Sequence, residues 1–204
     1  MSYIHSSEIK KRRGAYLPHW TQKDGIYSVT FRLNDSIPDK KLKEWQWEYK
    51  DTIERARFLK RRLSSEEATR LNALKGGLIE RYLDKSQGEC LLQKDKCAEI
   101  VANALKYFDN DRYKLFAWCV MPNHVHIVFQ TINEWTLPKV MHSWKTFSGR
   151  EINKVLDRSG EVWQREYYDH LVRDKDDLAR CIEYVWDNPE KENWKWRWRT
   201  NAAL

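Results

Sequence analysis

Two apolar segments separated by a two-residue turn constrain the fold of this chain more than any other feature. Residues 113–121 are apolar on both faces, which is typical of a central strand of a sheet. Pro122 and Asn123 form a predicted turn, and residues 124–130 return as a second strand, antiparallel to the first. The pair therefore predicts an antiparallel sheet at the centre of the fold.

The N-terminal half predicts one further strand and a helical segment. Residues 25–33 alternate apolar and polar side chains, which is the pattern of a half-buried strand. Helical periodicity then runs from about residue 39 to residue 108 in three helices. Ser64 followed by Glu67 forms a capping box at the start of the second helix. We interpret 39–108 as a helical insertion into the domain.

The C-terminal half continues with a helix over 137–156 and a short strand within 167–173. Asp174 is predicted to cap a final helix that Pro189 ends. Residues 189–204 form a basic tail rich in tryptophan. Since no internal repeat or linker divides the chain, we predict a single α+β domain over all 204 residues, with an antiparallel sheet packed against helices.

The charge and the aromatic content favour a nucleic-acid partner. Lys and Arg number 37 against 30 Asp and Glu, which gives a net charge of +7. Eleven Trp and ten Tyr interleave with these cations, as in proteins that stack unpaired bases on rings, although core packing explains each single ring equally well. The N-terminus has no signal-like stretch, and no apolar run approaches membrane-spanning length. We therefore expect a cytoplasmic protein without a membrane partner.

The four cysteines give little indication of a metal site or of disulfides. Cys90, Cys97, Cys119 and Cys181 include no pair at Cys-x-x-Cys spacing, so a structural zinc site has little support. A disulfide framework is equally unsupported.

Two histidines on the second central strand are a candidate metal site. The period of two in a strand places His124 and His126 on one face, while Val125 and Ile127 face the core. Two neutral imidazoles side by side are suitable ligands for one cation. The same pattern also fits a pair of ordinary surface or hydrogen-bonded histidines. Its context favours the metal, because a buried apolar strand and a Met-Pro-Asn turn precede the pair, which lies on a second buried strand.

The segment around this pair resembles a known family. Residues 118–129, WCVMPNHVHIVF, resemble the His-hydrophobic-His metal motif of single-tyrosine HUH transposases of the insertion-sequence and REP-associated types. Further similar segments follow family order between about residues 12 and 191: LPHW from Leu17, VTFRL from Val29, SWKTF from Ser143, VWQREYYDHLVR from Val162 and IEYVWDNPEK from Ile182. The resemblance implies an HUH-endonuclease (ferredoxin-like) core with an inserted helical segment.

The resemblance also implies which residues do the chemistry. It points to Tyr184 as the nucleophile and to Asn188 as a third metal contact beside His124 and His126, with Mg²⁺ or Mn²⁺ as the cofactor. Tyr184 and Asn188 are four residues apart, so both project from one side of a helix. A structural tyrosine on an amphipathic helix is the alternative. No second tyrosine lies one turn away in this helix, which favours the single-tyrosine class.

The implied function is that of a metal-dependent endonuclease and strand transferase acting on single-stranded DNA with a hairpin. Tyr184 would form a 5′-phosphotyrosine intermediate during transposition or REP-repeat processing, in a monomer or a homodimer. Two alternatives remain: a non-catalytic regulator that binds hairpin DNA or RNA, and a phosphoesterase that uses activated water.

Eight further polar residues are candidates for DNA contact, although a solvated surface or a structural role would explain each of them too. For His170 a structural hydrogen bond is the main alternative, and for the tail it is packing of the tryptophans on the core. The candidates are Arg12, Arg13, Lys145, Gln164, Arg165, His170, Lys195 and Arg197.

Overall fold

The computed structural model describes residues 9–13, 18–83, 85–191 and 199–201. It divides the chain into two compact units. The first consists of Met1–Asn34 together with Cys90–Leu204, and the second of Asp35–Glu89.

The strands of the first unit form one two-stranded sheet and one larger sheet. Strands β1 (Lys10–Arg13) and β2 (Pro18–Thr21) pair with each other. The larger sheet has the order β6-β3-β5-β4-β7, and every pair in it is antiparallel. Its strands are β3 (Ile26–Arg32), β4 (Tyr113–Val120), β5 (His124–Thr131), β6 (Tyr168–Leu171) and β7 (Arg199–Asn201). The predicted pair of central strands is thus present, and β5 is the middle strand.

Six α-helices belong to the described residues. The helices of the second unit are α1 (Asp39–Phe58), α2 (Ser65–Asn72) and α3 (Leu78–Leu83). The helices of the first unit are α4 (Asp95–Lys106), α5 (Leu137–Val155) and α6 (Lys175–Lys191). Within the described ranges, no helix combines the length and the apolar character needed to cross a membrane.

The two faces of the large sheet carry separate cores. One core joins α4 and α5 to a sheet face that includes Val29, Phe31, Val125 and Ile127. The other joins α6 to the opposite face, where Val128 belongs to the same row of β5 side chains as the histidines. Strand alternation therefore sends the two histidines toward α6 and the intervening valine toward α4 and α5.

The second unit is helical, and its middle helix, α2, begins at the capping box that the sequence predicted. The Ser64 hydroxyl accepts a hydrogen bond from the backbone N–H of Glu67, and the Glu67 carboxylate accepts one from the N–H of Ser64. This is the capping box expected from the sequence. A π-helical turn, Ala73–Gly77, joins α2 to α3. The rings of Trp45 and Tyr82 then meet edge to face at 5.7 Å.

The α+β class with an antiparallel sheet is confirmed, but two expectations about its parts are corrected. The helical segment predicted over 39–108 is not one insertion, because α4 packs into the core of the sheet and the separate unit ends at Glu89. Nor does Pro189 end the last helix, since α6 continues to Lys191. Proline removes one backbone hydrogen bond of the helix, and α6 ends two residues beyond it.

Candidate active site

The paired histidines lie on the middle strand of the sheet, on the face that α6 covers. His124 and His126 are each only 1% exposed. In the register of β3 with β5, His124 lies opposite Arg32 and His126 opposite Thr30. Helix α6 packs against β4 and β5. The histidines therefore belong to an interior polar site.

Each imidazole is oriented by a neighbouring polar side chain. The Nδ1 atom of His124 lies 2.7 Å from Oδ1 of Asn123, and Nδ1 of His126 lies 2.8 Å from Oγ1 of Thr30. An amide oxygen only accepts, so the proton of neutral His124 is on Nδ1, which leaves a lone pair on Nε2. Both Nε2 atoms point to one place and lie 2.9 Å apart. The chain thus fixes ring orientation through residues beyond the pair.

This geometry fits a divalent cation. Two nitrogens bound at right angles about 2.1 Å from one ion lie about 3.0 Å apart, close to the observed Nε2 separation. Burial, and then the neighbouring His126, lower the pKa of His124 well below its ordinary range. His124 is therefore neutral at pH 7, as a metal ligand must be.

Helix α6 brings Tyr184 to the same place. Asp174 caps the helix, because its Oδ1 accepts a hydrogen bond of 2.8 Å from the N–H of Asp177. Ile182 and Val185 then pack into the core on this face of the sheet, with Tyr184 partly buried against it. The Tyr184 ring meets the His126 ring edge to face, with centroids 5.4 Å apart. The helix therefore holds the phenol next to the histidine pair.

Asn188 lies one turn beyond the tyrosine and is 4% exposed. It projects from the same side of α6 as Tyr184, because the two residues are four apart. A buried amide needs a polar partner, and the oxygen of an asparagine is a suitable ligand for Mg²⁺ or Mn²⁺. His124, His126 and Asn188 are thus the residues that could hold a metal here.

Three polar residues of this site were not singled out from the sequence. Thr30 and Asn123 orient the imidazoles, and Arg32, 4% exposed, lies opposite His124 on the neighbouring strand. Burial lowers the pKa of Lys145 to about 8 and raises that of Tyr168 to about 12, and the charge of Arg32 makes a smaller, lowering contribution to both. The alternation of 25–33 already placed Thr30 and Arg32 on the polar face of β3. The alternation did not show that β3 pairs with β5, which is what places Thr30 and Arg32 beside the histidines.

Lys145, Gln164 and Arg165, expected as DNA contacts, lie together. The Nζ atom of Lys145 donates to the backbone carbonyls of Gln164 and Arg165, at 2.5 and 2.7 Å. Burial lowers the pKa of Lys145 to about 8. Lys145 and Arg165 line a cleft of about 730 Å³ beside α5, which His124, His126 and Tyr184 do not line. Lys145 therefore tethers a backbone segment at a cleft apart from the histidine pair.

The remaining expected DNA contacts lie elsewhere. The Nε2 atom of His170, on β6, is 2.8 Å from Oδ2 of Asp177, which agrees with the structural alternative weighed for it. Arg12 and Arg13 belong to β1. Lys195 and Arg197 lie outside the described residues.

Comparison with solved structures defines the class of fold. A structure described as a REP-associated tyrosine transposase bound to a REP hairpin matches this chain with a TM-score of 0.51. The match covers 94% of this chain and 82% of that one at 14% sequence identity, so it shows a shared fold alone. The two chains therefore share an α+β fold with an antiparallel sheet, the HUH fold.

Sequence comparison points to related proteins. Residues 89–188 match the family described as "Transposase IS200 like". A REP-associated tyrosine transposase of Escherichia coli is 27% identical over 100 residues, which cover 47% of this chain and 56% of the relative. A putative one of Haemophilus influenzae is 28% identical over 92 residues, which cover 40% and 52%. The chain thus spans about half the length of the curated relatives it matches.

Proposed function

We propose that this protein is a metal-dependent nuclease and strand transferase that acts on single-stranded DNA bearing a hairpin. The hairpin substrate is suggested by the solved relative, which is described as bound to a REP hairpin. The observation that carries the proposal is the contact between Tyr184 and His126, which brings a phenol to a pair of oriented imidazoles. Such a site combines a nucleophile with the ligands of a cation.

The proposed reaction is the transfer of a phosphodiester to tyrosine. The Tyr184 oxygen attacks the scissile phosphorus and forms a phosphotyrosine ester at the 5′ side of the break. The bond from phosphorus to the 3′-oxygen breaks, that oxygen takes up a proton, and the phenol proton passes to solvent. A second DNA 3′-hydroxyl then attacks the phosphotyrosine, which restores the phenol and joins two strands.

The side chains of this chain have distinct parts in that reaction. His124, His126 and Asn188 would hold Mg²⁺ or Mn²⁺, which when bound offsets phosphate charge and orients the scissile group. Thr30 and Asn123 keep the imidazoles in the ligating orientation. The packing of α6 fixes the distance from the phenol to the histidines. The nucleophile is therefore already ordered when the substrate binds, and the reaction does not have to pay the entropy of positioning it.

A test of the nucleophile compares two tyrosine variants. Wild-type protein, Tyr184→Phe and Tyr168→Phe are each incubated with Mn²⁺ and a labelled single-stranded hairpin pool, and covalent adducts are counted on denaturing gels. We expect adducts from wild type and from Tyr168→Phe, and none from Tyr184→Phe. An adduct from Tyr184→Phe would refute the assignment. Cleavage without any adduct would indicate a hydrolase, and metal-insensitive binding without cleavage would indicate a regulator.

A further inference from the structure

A second group of metal-ligand side chains lies on β6 and on the N-terminal half of α6, before Tyr184. His170 on β6 and Asp177 and Cys181 on α6 each direct one ligand atom into a space where all three atoms lie within 4.8 Å of one another. Asp177 and Cys181 are four residues apart, so α6 presents both on one side. Among the described residues, this is the group of three His, Cys, Asp or Glu side chains that could hold an ion.

The group is built on fixed elements. His170 lies opposite Ser28 in the register of β3 with β6. Burial raises the pKa of the Cys181 thiol, and the neighbouring Ser28 side chain partly offsets that rise. The Asp177 carboxylate accepts hydrogen bonds from the Arg173 N–H and from Arg180, at 3.0 and 3.3 Å. The ligand atoms therefore converge from a paired strand and a capped helix.

From this convergence we propose that His170, Asp177 and Cys181 bind a Zn²⁺ ion, at a site separate from the histidine pair. An imidazole, a carboxylate and a thiolate are ligands that Zn²⁺ prefers. A tetrahedral ion at 2.0–2.3 Å holds its ligand atoms roughly 3.3 to 3.6 Å apart, which side-chain rotation reaches from the present arrangement. The three side chains are partly exposed, so water can supply the fourth ligand.

Binding of Zn²⁺ exchanges the present contacts of these three side chains for bonds to the ion. The Cys181 thiol, whose pKa burial raises, releases its proton to solvent and becomes the sulfur ligand. The hydrogen bond between His170 and Asp177 gives way to two bonds to the ion. The ion then joins β6 to the first two turns of α6. It thus restrains the helix that carries Tyr184, whether or not Tyr184 is a nucleophile.

Cobalt provides a direct test, because Co²⁺ replaces Zn²⁺ and gives a near-ultraviolet charge-transfer band only when a thiolate binds it. The metal-free full chain is titrated with Co²⁺ as wild type, as Cys181→Ser and as the double variant His124→Ala/His126→Ala. Cys119→Ser is the matched control, because Cys119 lies opposite His126 in the register of β4 with β5. Circular dichroism verifies the fold of each variant.

We expect the thiolate band in the wild type, in the double histidine variant and in Cys119→Ser, and its loss in Cys181→Ser. Zn²⁺ should abolish the band by displacing Co²⁺ and should raise the Tm of the double histidine variant. Absence of the band from the wild type would overturn the proposal, and so would its loss in Cys119→Ser or in the double variant. Asp177→Asn, which keeps size and shape, should weaken Co²⁺ binding, and unchanged binding would also count against the site.

Discussion

The Oγ1 atom of Thr30 lies 2.8 Å from Nδ1 of His126, so a strand that is distant in sequence fixes the orientation of one of the paired imidazoles. The contact joins β3 to β5 on the buried face beneath α6. It makes the ligating geometry a property of the sheet as well as of the histidine motif.

Loss of this hydroxyl should weaken metal binding while the sheet stays intact. Thr30→Val keeps the size of the side chain but removes the bond to Nδ1, and the loss of a hydrogen bond that orients a metal-binding histidine costs about 10- to 100-fold in affinity. We expect a Kd for Mn²⁺ at least about 10-fold higher, measured by calorimetry. Thr131→Val, the same change farther along β5, is the control. Equal affinities of both variants would contradict the orienting role.

Removal of one imidazole of the pair should abolish metal-dependent cleavage. His126→Ala and His124→Ala each leave one nitrogen ligand, and we expect adduct formation to slow by roughly 10²-fold or more. The exposed His142 on α5 supplies the control variant, His142→Ala. Rates are measured in Mn²⁺ from adduct time courses. A rate near that of wild type in either variant of the pair would show that the site needs only one imidazole.

Arg32 should contribute to DNA binding more than to metal binding. Its guanidinium belongs to the polar face of β3, opposite His124, and charged hydrogen bonds to phosphate are worth about 1.5–3 kcal/mol. Arg32→Gln is therefore expected to raise the Kd for a single-stranded hairpin by about 10-fold or more, with Arg32→Lys in between. The Kd for Mn²⁺ should stay the same. Arg57→Gln, an exposed change on α1, is the control.

An unchanged hairpin affinity in Arg32→Gln would remove Arg32 from the proposed site. A fall in Tm without a change in affinity would indicate a purely structural arginine, since Arg32 is buried.

Glu67, in the capping box of α2, should have an unusually low pKa. Arg61 binds the Glu67 carboxylate through both terminal nitrogens, at 2.7 and 2.8 Å, and this contact does most to lower the pKa of Glu67 from 4.5 to about 2. A carboxylate with a lowered folded-state pKa stabilises the fold above pH 4.5. That contribution is lost as the pH falls toward 2.

Arg61→Gln should therefore raise the pKa of Glu67 toward 4.5, as measured by carbon NMR of its side chain. Lys60→Gln removes a neighbouring charge without touching this contact and should change the pKa little. A pKa of Glu67 that is the same in wild type and in Arg61→Gln would refute the explanation.

The sequence alone determined the local features of this protein. Period-two alternation predicted β3 and the shared face of His124 and His126, and two apolar segments around a turn predicted the two central strands. Side chains next to each other in sequence predicted the Ser64–Glu67 box, and α6 begins after the predicted cap, Asp174. These features depend on neighbours within a few residues, so a linear pattern contains them.

Only the tertiary structure decided which distant segments meet. It placed Thr30 and Arg32 beside the histidines, Tyr184 against His126, and His170 with Asp177 and Cys181. It also assigned α4 to the core of the sheet and not to the helical unit. Strand order and helix docking minimise exposed apolar surface over the whole chain, and that minimum is not encoded in any single segment.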